Sequence, residues 1–208
     1  MDRSLLLSAC YFGTVEHYAL MARSTRVVID AGEHYERQSY RNRTTLIGPN
    51  GKQDLVASII RQSGVKMPMH TVDLCYTEPW HLQHLQAIRS AYGQTPWFIH
   101  YMPDIEQLLL ERHATLLGLD LASIRLALKW LGLSLELEAS TAYVEDATQL
   151  TDLRTGLHPK KPLPAGVRPV PAYDQVFADR HGFAGRLSIV DLVMNAGPDA
   201  LRILQAGR

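Results

Sequence analysis

The chain has 208 residues, of which 46% are hydrophobic and 20% are charged. This composition is typical of a globular protein and excludes a disordered chain, and the length suits a single domain over residues 1–208. Lysine plus arginine and aspartate plus glutamate both number 21, so the formal net charge is zero. Because no overall field attracts a polyanion, we expect no nucleic-acid partner, and any anion site must be local.

No segment predicts export or membrane insertion. The start of the chain lacks the pattern of a secretory signal, and the longest apolar region, residues 116–133, is interrupted by Asp120, Arg125 and Lys129. We therefore predict no membrane span and a cytoplasmic location. The two cysteines, Cys10 and Cys75, are too few for a disulfide framework, and we expect both to be buried and reduced.

The N-terminal part of the chain predicts strands. An apolar run at 5–12, a helical spacing at 15–22 and a β-branched run at 25–30 give the order strand, helix, strand, which begins many parallel sheets. The Asn50-Gly51 turn predicts a hairpin between strands at 44–47 and 55–60. A further strand is predicted at 70–74.

Helices dominate the rest of the chain. A helix is predicted between Pro79 and Gly93, a second one opened by Pro103 at 105–117, and a third one capped by Asp120 and ended by Gly132. A strand follows at 133–137. The five prolines of residues 156–174 predict a surface loop. Ser188 and Asp191 predict a capping box, and Gly197 with Pro198 a break between two helices. The expected fold class is α/β, with a strand-helix-strand start, a mixed sheet and a mainly helical second half.

The densest polar cluster is residues 33–43, EHYERQSYRNR. Arg41 and Arg43 would point to the same side of a strand, about 7 Å apart, where two guanidinium groups could bind a phosphate or carboxylate. The alternative is a solvated edge strand that charge protects against pairing with another chain.

Two places could hold a catalytic base. Glu16 and His17 follow the first strand, at a turn where open parallel sheets place ligands, and His17 could accept a proton near neutral pH. His81 and His84 share a face at the start of a helix, downstream of Cys75. They could hold a metal, but the pattern of four ligands typical of zinc is missing, so we predict no metal site and a polar helix face instead.

The proline-rich loop could cover a pocket. Its basic residues, Lys160, Lys161 and Arg168, suit a phosphorylated ligand, and Tyr173 follows them. The alternative is a loop that merely packs along the surface. The GxSxG, GxxxxGK[ST] and GxGxxG patterns do not occur, which argues against hydrolase, P-loop and Rossmann functions.

Several stretches together resemble the WbqC-like protein family across residues 7–201. They are YFG after the apolar start, VVID followed by EHYERQSYRNR, WHLQHLQAIRSAYGQTPWF, and the ending LSIVDLVMNAGP. Many relatives carry a Gln-Pro pair before the first aromatic residue, where this chain reads LLSACYFG. The resemblance implies a bacterial protein, because the family is bacterial and is named for a member in surface-polysaccharide gene clusters. It gives added weight to these residues: Gln38, Arg41, Asn42, Arg43, Ser188, Asp191 and Asn195.

The resulting hypothesis is a transferase of surface-glycan (O-antigen-type) biosynthesis that acts on a phosphate-bearing sugar. The expected catalytic residues are Glu16, His17 and His81, and the expected substrate-binding residues are Gln38, Arg41, Asn42, Arg43, Tyr173, Asp191 and Asn195. The alternative is a non-catalytic module that binds a sugar nucleotide or a partner protein. The sequence identifies no cofactor and no oligomeric state.

Overall fold

Two sheets and seven helices make up the described part of the chain, residues 4–61 and 64–206 of a computed structural model. The strands are β1 (Ser4–Leu7), β2 (Arg26–Ile29), β3 (Arg43–Gly48), β4 (Gly51–Val56), β5 (Glu136–Ala139) and β6 (Thr151–Asp152). The helices are α1 (Val15–Met21), α2 (Trp80–Tyr92), α3 (Phe98–Leu110), α4 (Leu116–Trp130), α5 (Ala178–His181), α6 (Ile189–Ala196) and α7 (Ala200–Ala206). The predicted α/β class, with strands first and mostly helices afterwards, is confirmed.

The predicted start of a parallel sheet is also confirmed. β1 pairs in parallel with β2, and the full strand order is β5-β2-β1-β6, with every pairing parallel. Leu6 and Leu7 are almost completely buried, and burying a leucine side chain contributes about 1.5–3 kcal/mol. β1 ends earlier than the apolar run predicted. The chain leaves the sheet after Leu7 and turns at Phe12, whose φ is 41° and whose backbone N–H donates to Ser123 Oγ.

The hairpin forms a sheet of its own. β3 and β4 pair antiparallel with Gly48 opposite Gly51, so Pro49 and Asn50 form the tight turn, and Gly51 has a φ of 102°. β4 therefore begins at the turn and ends at Val56, earlier than expected. Parallel and antiparallel pairings thus occur in two separate sheets rather than in one mixed sheet.

The prediction of a strand at 70–74 is wrong. This segment contains a 3₁₀ helix, Met69–Thr71, followed by single bridges from Asp73 to Thr115 and from Leu74 to Ile59. Its backbone groups bond to several different segments, so no continuous ladder forms, although Val72 is as buried as a strand residue would be.

Two helix starts differ from the predictions. α2 lies where expected and Gly93 ends it. α3 begins at Phe98, so Pro103 lies inside the helix rather than opening it. Burial of Met102, Ile105 and Leu109 on the core favours the helix despite the missing N–H of the proline. α4 is capped by Thr115, whose side chain accepts from the N–H of Gly118 at 3.1 Å.

The prediction of Asp120 as the cap is therefore wrong, since Asp120 is fully buried within α4. Gly132, with a φ of 62°, follows α4 as predicted. The strand after it, β5, begins three residues later than expected, at Glu136.

The C-terminal part encloses much of the core. Residues 156–174 contain no helix or strand, as predicted, but Leu157 and Val170 are buried, so this loop packs against the core. α6 is buried on nearly every side and joins one hydrophobic cluster with β1, β2, α1 and the long helices. Gly197 ends α6 and α7 follows, as expected. No helix in the described ranges is long and apolar enough to cross a membrane.

Candidate functional site

The carboxyl ends of all four parallel strands meet in a buried polar network. Ser8 follows β1, Asp30 follows β2, Ser140 follows β5, and Arg154 lies just beyond β6. Arg154 Nη1 donates to Asp30 Oδ2 at 2.5 Å, and Ser140 Oγ donates to Asp30 Oδ1 at 3.3 Å. Parallel sheets often bind ligands at this edge. Here the edge is filled with the protein's own paired charges.

Arg41 belongs to the same network. Its Nε and Nη2 atoms donate to the two carboxylate oxygens of Glu33 at 3.0 and 2.7 Å, and Nη2 also reaches Ser8 Oγ at 2.9 Å. Nη1 lies 3.4 Å from Glu36 Oε2. Arg41 is only 5% exposed and precedes β3. The prediction that Arg41 and Arg43 share one side of a strand is therefore wrong, because tertiary pairing with Glu33 fixes Arg41 in the interior.

Arg43 lines a cavity of about 510 Å³ on the hairpin. Side chains alternate along a strand, so Arg43 and Thr45 of β3 share one face, and Asp54 of β4 lies directly opposite Thr45. Arg43 Nη1 donates to Asp54 Oδ2 at 2.8 Å, and Thr45 Oγ1 donates to Asp54 Oδ1 at 2.7 Å. Lys52 projects from the same face of β4. We call this cavity the basic pocket, and its lining is Tyr40, Arg43, Thr45, Lys52, Asp54, Pro159, Lys160 and Arg186.

The charge of the basic pocket is largely uncompensated. Among the residues that the structure describes, its lining includes four cations and a single carboxylate, Asp54. Lys52 donates to the carbonyl of Gly185 at 3.0 Å, and Lys160 donates to the side-chain oxygen of Gln38. Arg186 donates to two backbone carbonyls at 2.7 Å. Because those acceptors are neutral, they orient these three cations without cancelling their charge.

Gln38 and Asn42 have different roles. Gln38 is exposed, has a φ of 56°, and holds Lys160 at the rim of the basic pocket. Asn42 is 4% exposed, and its side chain donates to the carbonyl of Ala57 at 3.0 Å. The structure thus places Gln38 beside the pocket, whereas Asn42 ties the start of β3 to the residue after β4.

Glu16 lies close to the basic pocket but is 1% exposed. Burial raises the pKa of its carboxyl group, against hydrogen bonds at Glu16 itself and Thr14 and the charge of Arg186. One carboxylate oxygen, Oε2, is buried without a hydrogen-bond partner. Glu16 also interacts electrostatically with Tyr40, a wall of the pocket, and with Tyr173.

His17 caps its own helix. Its Nδ1 atom accepts from the backbone N–H of Thr14 at 3.1 Å and lies 3.0 Å from the Thr14 hydroxyl. Burial, assisted by the charge of Arg186, lowers the pKa of His17 to about 3, so the ring is neutral at physiological pH. The ring contacts Tyr40 edge-on at 5.4 Å, which places His17 behind the pocket wall.

His81 lies in an aromatic cluster on α2, apart from the residues that line the basic pocket. Its ring centroid is 5.3 Å from that of Tyr76 and 5.8 Å from that of Trp80. Its neighbour His84 pairs with the Tyr11 hydroxyl at 3.0 Å, and burial lowers the pKa of His84 to about 4. Within residues 4–61 and 64–206, no three His, Cys, Asp or Glu side chains are grouped to hold a metal.

Tyr173, Asp191 and Asn195 come together along α6, with Asp191 in its first turn and Asn195 near its end. The Tyr173 hydroxyl donates to Asp191 Oδ2 at 2.6 Å, and Gln175 Nε2 donates to the same oxygen at 2.8 Å. Asn195 accepts from the backbone N–H of Val176 at 3.1 Å. Asp191 is fully buried, so it anchors the exit of the proline-rich loop rather than completing a capping box. Ser188 does cap α6, accepting from the N–H of Val190 at 3.3 Å.

A model of the WbqC-like protein family matches residues 9–158, which is more than half of the chain. The chain belongs to the WbqC-like protein family. No curated protein and no solved structure matches it.

The part of this WbqC-like chain that matches the family model includes most of the hairpin side of the pocket. Glu16, Arg43 and Lys52 lie within it, whereas Lys160 and Arg186 lie beyond residue 158. Sequence reasoning missed Lys52 and Arg186 as pocket residues. Lys52 alternates with Asp54 along the observed β4, but the predicted strand began at residue 55 and left both residues outside it. Nothing local marks Arg186, which the fold brings to the hairpin through the bond from Ser188 N–H to the Thr45 carbonyl at 2.8 Å.

Proposed function

We propose that this WbqC-like protein binds a phosphate-bearing sugar in the basic pocket and acts as a transferase of bacterial surface-glycan biosynthesis. The observation that carries the binding step is the set of cations on three separate segments around one cavity: Arg43 and Lys52 on the hairpin, Lys160 on the proline-rich loop, and Arg186 before α6. The glycan pathway rests on the family's association with surface-polysaccharide genes.

The chemistry of the basic pocket favours a phosphate over other ligands. Charge-assisted hydrogen bonds from arginine and lysine are about twice as strong as neutral ones, and guanidinium groups match the geometry of phosphate oxygens. A phosphate could replace the neutral oxygens that now accept from Lys52 and Lys160. A cavity of about 510 Å³ is large enough for a sugar phosphate.

Glu16 is the candidate for proton transfer in this scheme, because it interacts electrostatically with Tyr40 and Arg186, which line the basic pocket. In the proposed reaction, a hydroxyl or amine of the acceptor attacks the sugar carbon, the bond from that carbon to the phosphate oxygen breaks, and the phosphate leaves with the electron pair. Glu16 accepts the proton that the acceptor loses. A raised pKa brings a carboxyl group closer to the operating pH, which improves a general base. His17 acts in this scheme as a support for Tyr40 and the start of α1.

A second candidate function is a non-catalytic binding module. The burial of all three predicted catalytic residues favours it: Glu16, His17 and His81 are each 3% exposed or less. A transferase requires that at least one of them reaches the ligand, within about 3 Å of the proton it moves. A binding module requires only the cations of the pocket.

Isothermal titration with nucleoside diphosphate sugars and inorganic phosphate tests the binding step. We expect Lys52→Ala and Lys160→Ala each to weaken binding about tenfold, because each removes one charge-assisted bond. Lys161→Ala is the matched control, since Lys161 neighbours Lys160 but does not line the pocket. Equal affinity of all four proteins, or no binding of any phosphate, would overturn the proposal.

Product analysis separates the two functions. Wild-type protein is incubated with a bound sugar nucleotide and a panel of acceptors, and release of the nucleotide is followed. A transferase releases nucleotide, and Glu16→Gln abolishes the release while retaining affinity. Tight binding without release in the wild-type protein supports the binding module.

A further inference from the structure

A second cavity of about 660 Å³ lies where the start of α3 meets the turn between α6 and α7. It shares no lining residue with the basic pocket. The side chains that determine its chemistry are Trp97, Tyr173, Asp174, Asn195, Asp199 and Arg202. We call it the aromatic cavity.

Trp97 forms a rigid aromatic wall. Its indole ring packs directly on Gly197, where an added Cβ would lie 2.2 Å from Trp97 Cε2. Gly197 has a φ of 54°, a conformation that favours glycine, so the close approach of ring and backbone is built into the turn. The backbone N–H of Trp97 donates to the carbonyl of Met194 at 3.3 Å, which ties the start of α3 to α6. These contacts fix the position of the Trp97 ring in the wall of the cavity.

Tyr173 adds a second aromatic wall that is also held in place. Its hydroxyl donates to the buried carboxylate of Asp191 at 2.6 Å, so the ring cannot turn away without breaking a charge-assisted bond. Asn195 is likewise committed, because its amide accepts from Val176 N–H and donates to the Asp191 carbonyl. These residues shape the cavity without offering it free polar groups.

Asp174 supplies the free polar group. It is exposed and forms no hydrogen bond or ion pair with any residue in the described ranges. Asp199 and Arg202 are both exposed and pair with each other at 3.2 Å. The lining therefore offers two carboxylates and one guanidinium, which is unfavourable for phosphate but suits a ligand that donates hydroxyl groups.

We propose that the aromatic cavity binds a neutral sugar ring. A pyranose presents an apolar face of C–H groups, which can pack on a fixed indole, and a rim of hydroxyls, which can donate to Asp174 and Asp199 and accept from Arg202. Binding sites of this kind combine an apolar floor with a few placed polar groups. This assignment goes beyond the phosphate site and does not depend on it, because its ligand carries no phosphate.

The test follows the indole N–H signals of ¹⁵N-labelled protein by NMR during titration with unphosphorylated hexoses and N-acetylhexosamines. The chain has three tryptophans, Trp80, Trp97 and Trp130, so three signals occur, and Trp97→Phe identifies the relevant one. We expect a saturable shift of the Trp97 signal with at least one sugar. We expect Asp174→Ala to weaken that affinity about tenfold, through loss of one charge-assisted hydrogen bond.

Two controls accompany the titration: the Asp179→Ala variant, and tetramethylammonium as a ligand that is not a sugar. Asp179→Ala removes an exposed carboxylate that does not line the aromatic cavity, and it should leave the affinity unchanged. If Trp97→Phe fails to fold, the sugar affinities of Asp174→Ala and Asp179→Ala still test the proposal. The absence of a shift with every sugar would overturn the proposal. A shift with tetramethylammonium alone would also overturn it, because that result would identify an aromatic and carboxylate site for ammonium groups. Failure of phosphate binding at the basic pocket would not affect the outcome.

Discussion

Arg41 Nη2 and Glu33 Oε2 lie 2.7 Å apart, and their side chains are only 6% and 7% exposed. The pair links residue 33, just after β2, to the residues before β3, and Ser8 joins it from the end of β1. The most distinctive part of the sequence, residues 33–43, thus connects the parallel sheet to the hairpin. Within this segment Arg41 is buried and serves the fold, whereas the partly exposed Arg43 lines the basic pocket.

Replacing Arg41 should therefore damage stability before it affects ligand binding. Removal of one partner of a buried ion pair leaves the other charge uncompensated, so we expect Arg41→Ala to lower the free energy of unfolding by about 3–5 kcal/mol. Arg43→Ala, which breaks a more exposed pair with Asp54, should cost less than about 1 kcal/mol. Urea denaturation followed by circular dichroism measures both. Equal stability of the two variants would contradict the structural role of Arg41.

Local sequence patterns predict the elements that depend on neighbours in the chain. The β-branched run of β2, the hairpin turn and the stop at Gly93 all act through local backbone preferences. The strand, the hairpin and the helix end follow as predicted, although the turn lies at Pro49 and Asn50, one residue earlier than expected. Pro103 and Asp120 were misplaced because the burial of an entire helix face outweighs the preference of one residue. Local sequence signals indicate where a helix or strand could begin or end, and tertiary packing determines which of these positions is used.

The candidate site was only partly predictable for the same reason. Arg43 and the basic loop residue Lys160 could be predicted as candidates for anion binding from their charge and surroundings, and both line the basic pocket. Arg41 carries the same charge, but its partner Glu33 becomes a partner only in the folded chain. Arg186 lies at the pocket because the segment before α6 runs beside β3. No periodicity in the sequence predicts this tertiary contact.

Asp120 predicts an unusual pH dependence of stability. It is fully buried, both carboxylate oxygens lack hydrogen-bond partners, and burial raises its pKa well above the ordinary value. The folded state therefore holds this proton more tightly than the unfolded state. The favourable contribution is complete below the unfolded pKa of about 4 and is lost as the pH rises towards the folded pKa.

Asp120→Asn should consequently stabilise the protein at neutral pH. The amide cannot ionise, so we expect a gain of at least about 1 kcal/mol at pH 7, shrinking towards zero near pH 4. Thermal unfolding of both proteins across this pH range measures the difference. Asp174→Asn is the control, since Asp174 is exposed and its replacement should change little at any pH. Lower stability of Asp120→Asn at pH 7 would instead indicate a charged and paired carboxylate.

The two cysteines should differ sharply in reactivity. Cys10 is 1% exposed and burial raises the pKa of its thiol, so little thiolate forms. Cys75 is half-buried, contrary to the expectation that both would be buried, and hydrogen bonds with Thr77 lower the pKa of its thiol. We expect one thiol of the native protein to react with a thiol reagent at pH 8, and both to react in denaturant. Cys75→Ser should abolish the native reaction, and rapid labelling of Cys10 would contradict this assignment.

Asp191 should hold the proline-rich loop in place and, through it, Lys160. The carboxylate accepts from Tyr173 and Gln175, and Gln175 in turn exchanges two bonds with the backbone of Ala184. Asp191→Ala removes the shared acceptor and leaves two buried donors unpaired, which costs about 1–3 kcal/mol for each.

The loop of the Asp191→Ala protein should therefore open more often and become a better protease substrate. Lys160 provides the tryptic site within it, at the bond to Lys161, because Lys161 and Arg168 are each followed by a proline and trypsin does not cleave before proline. We expect limited trypsin digestion, read by mass spectrometry, to cleave the loop at least about tenfold faster in Asp191→Ala than in the wild-type protein. Asp199→Ala is a matched control, because Asp199 is exposed and contacts Arg202 rather than the loop. Unchanged cleavage of Asp191→Ala would show that the loop is held by its buried residues Leu157 and Val170 instead.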